Sequence, residues 1–347
     1  MKRNYNLLII AACLTIILSA CSKFFDKPPQ GQITQEEAFK DEAGLVSFTN
    51  GIYTYLGDGD FMGGRVQVLS DILADELKGD KFTGDYAEIY GRRNSIFGAT
   101  RDAMYLKGYK IINAANLVLE NLSIANTQKD NLRGQALFFR GMTHFELVRL
   151  FAQPWGYSPD NSQYGIPLRL KSGQELLQRA TVKQVYDQVI ADLKAADSLL
   201  APDANSGKFY TASKWIAEAY LAKVYFQMND FANAYKYADQ VIKSGKFQLD
   251  ADYTSRYSVG LTKEAILRIA NEVNHFQPGT ELIGNWRSDK AVPTCNFTDA
   301  YYNNAVSRVN DKRKIWYSNT LQAGYNVLTK YNMDYTTWSC LLPILQK

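Results

Sequence analysis

Apolar residues recur at helical spacing along most of this 347-residue chain. Spacings of three, four and seven residues place apolar side chains on one face of an α-helix. They predict a helix from Thr34 past Tyr55, and further helices at about 102–122, 129–151, 182–200, 213–228 and 231–244. Glycines at 57–64, and prolines and glycines at 154–167, predict long loops. Strand-like alternation is scarce apart from 265–270, so the predicted fold class is mainly all-α.

Several of these helices have recognisable ends. Thr34-Gln35-Glu36-Glu37 and Thr181-Val182-Lys183-Gln184 both have the form of a capping box, in which Thr and the third residue after it satisfy each other's backbone N–H groups. Gly245 follows the helix at 231–244 and is typical of a C′ position. These signals predict where the first and fourth helices begin and where the last one ends.

The composition excludes some classes of protein. The formal net charge is +4 with no dense Lys/Arg tract, so no nucleic-acid partner is expected. No stretch reaches the roughly 20 apolar residues that a membrane span requires. The apolar share of 46% allows a sizeable core, and the 23 Tyr, 17 Phe and 5 Trp can fill helix interfaces or form wet binding surfaces.

The N-terminus has the pattern of an export signal. Lys2 and Arg3 precede an apolar run at 7–18, which is too short to span a membrane. Leu18-Ser19-Ala20-Cys21 then resembles the lipobox of bacterial lipoproteins, with Cys21 as the lipidated residue. The alternative is an ordinary signal peptide with a chance cysteine. We expect a signal peptide at 1–20 and a tether at 21–33. Residue 22 is Ser, not the Asp that resembles an inner-membrane retention signal, so we expect attachment to the outer membrane, and we expect the protein to face outward.

Features that support catalysis are few. His144 lies inside an apolar helix and His275 in a loop, and neither has metal-ligand spacing around it. The sequence contains no P-loop, no glycine motif for binding a dinucleotide and no Gly-x-Ser-x-Gly motif around a serine nucleophile. We therefore expect no enzyme activity, no metal and no cofactor, although a glycosidase pair of carboxylates leaves no sequence signature. Cys295 and Cys340 could form a disulfide, which their spacing alone does not decide.

One helix pair has the signature of a repeat. Leu221-Ala222, Tyr225 and Phe231, followed by Ala234 and Ala238, resemble one tetratricopeptide unit, although Glu218 occupies the place where Trp is usual. Small alanines allow two antiparallel helices to approach closely. A generic helical hairpin is the alternative. We predict tetratricopeptide-like hairpins with long loops over about 129–245.

An ordered set of motifs runs along the chain. Its main stretches are Cys21–Asp26 with Pro28 and Pro29, Gly108–Asn116, Ala136–Gly141 with Phe145–Val148, Val182–Leu200, Ala212–Leu249, Ala265-Ile266 and Asp311–Arg313. The set as a whole, rather than any single motif, resembles the SusD/RagB family of surface nutrient-binding lipoproteins over about 21–331. This resemblance implies a SusD-like helical domain, which we place at 34–335.

The end of the sequence departs from the family pattern. After Lys330-Tyr331 the family normally continues for well over a hundred residues, whereas here 336–347 is an atypical tail ending in Leu341-Leu342-Pro343-Ile344-Leu345. The resemblance therefore implies a helical domain that is incomplete at its C-terminus.

The resemblance also implies a function. Family members capture oligosaccharide and pass it to a TonB-dependent, SusC-like outer-membrane transporter. Their sites draw on the loop between the first two helices and on the segment after the repeats, here about 57–101 and 277–305. Aromatic rings can stack on sugar C–H faces, while amide, carboxylate and guanidinium groups bind hydroxyls. The candidate ligand-binding residues are Asp71, Tyr86, Tyr90, Arg92, Asn94, Trp286, Arg287 and Tyr301.

The candidate residues have alternative roles. Those at 86–94 could belong to an ordinary surface loop with a few rings packed inward. Two of the three residues Asp71, Asp75 and Glu76 could form a carboxylate pair. Alternatively, they could lie exposed to solvent on the outer face of a helix. Trp286, which follows Gly284, could be an exposed sugar platform or part of the core. The alternative for the whole chain is a tetratricopeptide-type scaffold that binds only protein.

Overall fold

The computed structural model describes residues 39–93, 98–203, 209–251, 262–269, 280–332 and 340–344. Within these ranges the chain is mainly helical, which confirms the predicted all-α class. The helices are α1 (Glu42–Leu56), α2 (Arg65–Leu73), α3 (Gly84–Tyr90), α4 (Ala99–Glu120), α5 (Lys129–Phe151), α6 (Val182–Leu199), α7 (Lys214–Gln227), α8 (Phe231–Lys243), α9 (Thr280–Trp286) and α10 (Asp299–Ser307). Cys21, the capping box at Thr34 and Asn94 lie outside the described residues.

Helix α5 forms the centre of the core. It packs against α4 on one side and α6 on the other. Phe138, Phe139, Met142 and Phe145 have no exposed surface, so both faces of this helix are covered. Every residue but one from Leu132 to Val148 is buried, including polar ones, and the predicted bounds of 129–151 agree with Lys129–Phe151.

Buried ion pairs connect the central helices. Arg140 on α5 donates two hydrogen bonds to Asp192 on α6, at 2.8 and 2.7 Å, and a third to the Asn116 side chain on α4, at 3.1 Å. Glu146 on α5 is fully buried and accepts from Lys223 on α7 and from Arg149, both at 2.6 Å. Each of these buried charges therefore has a partner of opposite charge, which offsets the cost of burial.

Helices α6, α7 and α8 continue the stack in series, as predicted for tetratricopeptide-like hairpins. The predicted capping box of α6 is formed by Thr181 and Gln184. Tyr225 on α7 stacks on Tyr237 on α8, with ring centroids 5.7 Å apart. Gly245 follows α8 with φ +67°, the left-handed conformation that favours glycine after a helix.

Glu218 explains the departure from the repeat signature. Its side chain on α7 is 1% exposed and lies 3.3 Å from Lys214, which also lies 3.6 Å from Asp197 on α6. A small cluster of charges thus occupies the place where Trp is usual in the repeat. Burial, followed by the nearby negative charge of Asp197, raises the pKa of Glu218.

The strands are short and form three pairs. β1 (Tyr164–Pro167) pairs with β2 (Arg179–Thr181), β4 (Tyr317–Ser318) pairs with β5 (Val327–Leu328), and β3 (Ala265–Ile269) pairs with β6 (Cys340–Ile344), all antiparallel. The strand predicted at 265–270 is confirmed as β3. The tail at 336–347 contributes β6, which the sequence analysis did not foresee.

The segment at 57–101, expected to be a loop, contains α2 and α3. Glycines at 57–64 end α1, and Gly64 then brings the start of α2 against α9. Gly64 has φ +150°, and a methyl group there would come within 2.1 Å of the Leu282 backbone nitrogen. This close approach joins the first part of the chain to the segment after the repeats.

Candidate ligand-binding site

Three distant chain segments meet beside α2. The backbone N–H of Lys78 donates to the carbonyl of Asn296 at 2.8 Å, and the N–H of Thr298 donates to the carbonyl of Glu76 at 3.0 Å. On the other side, the N–H of Phe297 donates to the carbonyl of Asn326 at 2.8 Å. Segments 76–78, 296–298 and 326 therefore lie side by side like short strands.

Phe297, on the middle segment, is the centre of an aromatic cluster. Its ring stacks on Tyr301 at 4.7 Å between centroids and contacts Trp286 at 5.1 Å and Tyr317 at 5.4 Å. The rings come from α9, α10 and β4, so the cluster fixes these elements relative to α2.

A cavity of about 180 Å³ opens beside this cluster. Its lining residues are Asp71, Glu76, Trp286, Phe297, Tyr301, Arg313, Trp316, Tyr317, Leu328, Lys330 and Tyr331. Sites for drug-sized ligands measure roughly 300–1,000 Å³. The cavity is therefore suited to a single small ring rather than to a long ligand. Three of the predicted binding residues, Asp71, Trp286 and Tyr301, come together here.

Two carboxylates face this cavity. Burial raises the pKa of Asp71 to about 6, although the charge of Lys330 opposes the shift. Burial also raises the pKa of Glu76, against the opposing effect of the Tyr301 hydroxyl. Desolvation disfavours the charged form of an acid, so raised values indicate carboxyl groups poorly solvated by water. Such groups gain most from a ligand that donates hydrogen bonds.

The Tyr301 hydroxyl belongs to the same polar group of side chains. It lies 3.4 Å from the hydroxyl of Tyr317. Burial raises the pKa of Tyr301, and the negative charges of Glu76 and Asp71 add to the effect. The hydroxyl stays protonated and can donate a hydrogen bond to a neighbouring carboxylate or to a ligand.

Of the two alternatives for Trp286, the structure supports the core and contradicts the exposed platform. Its side chain is 2% exposed, at the end of α9 rather than in a loop, because Phe297 and Tyr331 cover it. The indole Nε1 is buried and faces Asp71 without completing a well-formed hydrogen bond. Trp286 therefore belongs to the core and also forms one wall of the cavity.

The two predicted tyrosines of α3 lie away from the cavity lining. The Tyr86 hydroxyl donates to Glu281 on α9, which also lies 3.3 Å from Arg65. Tyr90 packs against Phe82, with ring centroids 5.4 Å apart. Both rings connect α3 to its neighbours. A ligand-binding role for them stays a prediction that no contact with the cavity supports.

The two predicted arginines are held by neighbouring carboxylates. Arg92 forms an ion pair with the exposed Asp75 at 2.5 Å and donates to the carbonyl of Leu73 at 3.1 Å. Arg287 forms an ion pair with Asp289 at 2.7 Å. Neither lines the cavity. Asp75, the partner of Arg92, likewise does not line the cavity with Asp71 and Glu76.

The sequence analysis missed several lining residues. Trp316, Tyr317, Lys330 and Tyr331 lie beyond the expected segment of 277–305. The many aromatic residues around 316–331 could have suggested a binding surface. Their sequence pattern, however, does not indicate that they lie near Asp71, which is more than two hundred residues away. The β4–β5 pair and the backbone contact at Asn326 are what place these residues.

A larger surface groove of about 780 Å³ runs along α4 beside the loop at 167–177. Its polar groups mostly bind one another: the Tyr109 hydroxyl donates to the carbonyl of Pro167 at 2.6 Å, and Arg169 donates to the carbonyl of Gly173 at 2.9 Å. Leu106 and Leu176 border it and are exposed. The surface of the groove is mainly apolar, whereas the cavity combines aromatic rings with two carboxylates, so the groove is the weaker candidate for a sugar site.

Two other reactive side chains of the described residues, His144 and Cys295, are buried, whereas His275 lies outside the described residues. His144 is fully buried, and burial lowers its pKa to about 3, so it stays neutral. Cys295 is a buried free thiol. Across the described residues, no cluster of three or more His, Cys, Asp or Glu side chains could bind a metal ion. None of the helices in that part of the chain is long and apolar enough to cross a membrane.

Helices that pack in series, with a small aromatic cavity at one side, define the class as a helical-repeat protein with a lateral pocket. Residues 23–226 match the SusD-like family described as "Starch-binding associating with outer membrane". The match covers more than half of the chain, so the chain belongs to this family, and the predicted family is confirmed.

Two curated relatives come from Formosa agariphila. SusD-like protein P2 is 28% identical over 275 residues, which cover 75% of this chain and 51% of that protein. SusD-like protein P25 is 22% identical over 321 residues, which cover 82% of this chain and 58% of that protein. The chain thus spans about half the length of the curated relatives it matches.

Solved structures share the fold. A putative sugar-binding protein from Bacteroides vulgatus superposes with a TM-score of 0.74 at 23% identity, covering 86% of this chain and 70% of that chain. A SusD superfamily protein from Bacteroides thetaiotaomicron superposes with a TM-score of 0.73 at 21% identity, covering 88% and 73%. The SusD-like helical architecture predicted from the sequence is confirmed.

Proposed function

We propose that this chain binds an oligosaccharide without catalysis and holds one sugar ring in the cavity beside α2. The observation that carries the proposal is the juxtaposition of Asp71 and Glu76 with the aromatic rings around Phe297. A pyranose presents an apolar C–H face that stacks on a ring, and hydroxyls that donate to carboxylates. Both kinds of surface are available in one small concave site.

The chain's relatives support this proposal. Its family is described as starch-binding and associating with the outer membrane, and one structural neighbour is a putative sugar-binding protein. We extend the proposal to lipid attachment through Cys21, location at the outer membrane, and transfer of the glycan to a TonB-dependent, SusC-like transporter. The lipobox-like sequence before Cys21 supports the anchor, and the SusD-like family supports the transporter.

Glycan binding is tested with paired variants at two neighbouring residues that follow the end of α2. Glu76→Gln removes a carboxylate from the cavity, and we expect glycan affinity to fall roughly 10- to 150-fold, the equivalent of about 1.5–3 kcal/mol for a hydrogen bond to a charged group. Asp75→Asn is the matched control, because Asp75 is exposed and pairs with Arg92 outside the cavity. Calorimetric titration against a panel of glycans found by array screening measures both.

Equal losses in the two variants would argue against a site at the cavity. Failure of the unaltered chain to bind any glycan on the array would argue against glycan binding altogether.

Lipid attachment is tested separately. Cys21→Ala should abolish incorporation of labelled palmitate and release the protein from membrane fractions, because the acyl chains anchor it by burying methylenes at about 0.8 kcal/mol each. Cys295→Ala is the control, since Cys295 is buried in the core and should leave labelling unchanged. Continued labelling of the Cys21→Ala protein would contradict the anchor.

A scaffold that binds only protein is the second candidate, and one observation favours it. Phe231, Tyr235 and Ile242 lie along one face of α8 and are exposed, and the exposed Phe226 on α7 contacts Phe231 at 5.6 Å. Exposed apolar faces of this kind mark interaction surfaces. Affinity electrophoresis in gels that contain glycan separates the two candidates, because a pure scaffold would migrate without retardation.

A further inference from the structure

We infer that the cavity selects uncharged sugar rings and rejects rings that carry a carboxylate or a sulfate. This inference rests on the proposed function and adds the class of ligand. It follows from which charges in the cavity wall already have partners before a ligand arrives. Two acids, Asp71 and Glu76, and two bases, Arg313 and Lys330, line the cavity.

Arg313 already forms an ion pair with a carboxylate of the protein. Its guanidinium donates to the carboxylate of Asp311 through Nη2 at 2.6 Å and through Nε at 2.9 Å. Paired N–H donors on one carboxylate form a strong, geometrically specific contact. An anionic sugar would therefore have to compete with Asp311 for Arg313.

The positive charge of Lys330 interacts with two groups that line the same cavity, the Tyr331 ring and the Asp71 carboxylate. Its Nζ lies 4.7 Å from the centroid of the Tyr331 ring. Its charge also lowers the pKa of Asp71 against the effect of burial, so Lys330 acts as the counter-charge of Asp71. The base and the acid together leave no net charge.

Glu76 then remains as the uncompensated charge of the lining. The neighbour that stabilises its charged form is the Tyr301 hydroxyl, which is neutral. Asp311 offsets the charge of Arg313, and Asp71 offsets the charge of Lys330. The described lining together with Asp311 therefore carries a formal net charge of about −1, which is the charge of Glu76. Like charges repel more strongly in a poorly solvated site than in water. A uronate or sulfate would enter against this repulsion.

An uncharged ring avoids this repulsion. A carboxylate only accepts hydrogen bonds, and each sugar hydroxyl can donate one. Replacing a hydroxymethyl group by a carboxylate removes a donor and adds a charge in the same step. The cavity thus discriminates twice against the anionic ring, once by repulsion and once by an acceptor left facing an acceptor.

The test uses glycan pairs that share the sugar configuration and the linkage and differ only in this one group: β-1,4-mannan against β-1,4-mannuronan oligosaccharides, and β-1,4-glucan against β-1,4-glucuronan oligosaccharides. Affinities are measured by calorimetry at low and high salt. We expect the neutral member of the pair that binds to bind at least about tenfold more tightly at low salt. The difference should narrow at high salt, because salt screens the repulsion. Glu76→Gln should narrow it too, while Asp75→Asn should leave it unchanged.

The outcomes separate the two proposals. Equal or tighter binding of the uronate, at low salt, would overturn the selection against anionic rings while leaving glycan binding intact. Absence of binding by both members of the pairs and by the neutral glycans of the array would overturn the proposed function and this inference together. The Glu76→Gln protein could also keep the full preference for the neutral ring while its melting curve matches that of the unaltered chain. This outcome would show that the cavity is not where the two kinds of ring are distinguished.

Discussion

At the scale of single residues, Trp286 shows that one side chain can belong to the core and to a binding site at once. The residues around it, Gly284, Asn285 and Arg287, suggested an exposed loop. In the structure the ring is covered by Phe297 and Tyr331, and one edge lines the cavity. A ring held in this way is rigid, so a ligand need not order it on binding, which lowers the entropy cost of binding.

We expect Trp286→Ala to lower the free energy of unfolding by about 3–5 kcal/mol, the usual cost of removing a buried large ring. Urea denaturation followed by circular dichroism measures it. Trp215→Ala is the comparison, because Trp215 is only partly buried and should cost less. Equal stabilities of Trp286→Ala and the unaltered chain would show that the ring is not part of the core.

At the scale of elements, the helix stack depends on how each helix begins. The N-cap of α6 is Thr181, whose hydroxyl accepts from the backbone N–H of Gln184 at 3.1 Å, while the Gln184 side chain accepts from the N–H of Thr181 at 2.9 Å. Helix α6 contacts both α5 and α7, so its start sets the register of the stack.

Thr181→Ala should lower the free energy of unfolding by about 1 kcal/mol, within the range of about 0.5–2 kcal/mol for loss of an N-cap. The expected cause is one backbone N–H left without its partner at the start of α6. Thr181→Ser keeps the hydroxyl and serves as the control. Thermal unfolding of the two variants checks the difference, and identical losses in Ala and Ser would assign the effect to something other than the cap.

At the scale of the whole molecule, buried charges join helices that are distant in sequence. Burial alone would raise the pKa of Glu146, but Lys223 and Arg149 outweigh burial and lower it to about 2, against an ordinary value of 4.5. Between these two values the unfolded chain binds more protons than the folded one. This group therefore stabilises the fold fully above pH 4.5, and its contribution declines as the pH falls from about 4.5 to about 2.

Lys223→Met should reduce this dependence, because the folded-state pKa of Glu146 moves back toward its ordinary value. We expect lower stability at pH 7 and a shallower decline between pH 4.5 and pH 3 than in the unaltered chain. Lys183→Met is the control, since Lys183 and Asp187 form an exposed pair on α6. Chemical denaturation at a series of pH values measures the slopes. Parallel slopes in all three proteins would show that Glu146 is not the group responsible.

Much of the helical fold could be predicted from the sequence, because helix formation is local. The predicted bounds of α5 agree with the structure, the Thr181 cap is formed, and Gly245 follows α8. Each of these features depends on residues within one or two turns of one another. The buried strand β3 was also predictable, since an apolar run of five or six residues is typical of one.

The tertiary structure alone decided the candidate site. Asp71 meets Trp286 and Lys330 only because Gly64 lets α2 approach α9, and because segments 76–78, 296–298 and 326 pair along their backbones. Contacts across more than two hundred residues leave no periodic signal in the sequence. By itself the sequence determined the long helices from α4 to α8 and which family the chain belongs to, whereas the short helices α2, α3, α9 and α10 were not predicted. Whether a given Trp, Tyr or Asp faces the core, the solvent or a cavity depended on which distant segments came to cover it.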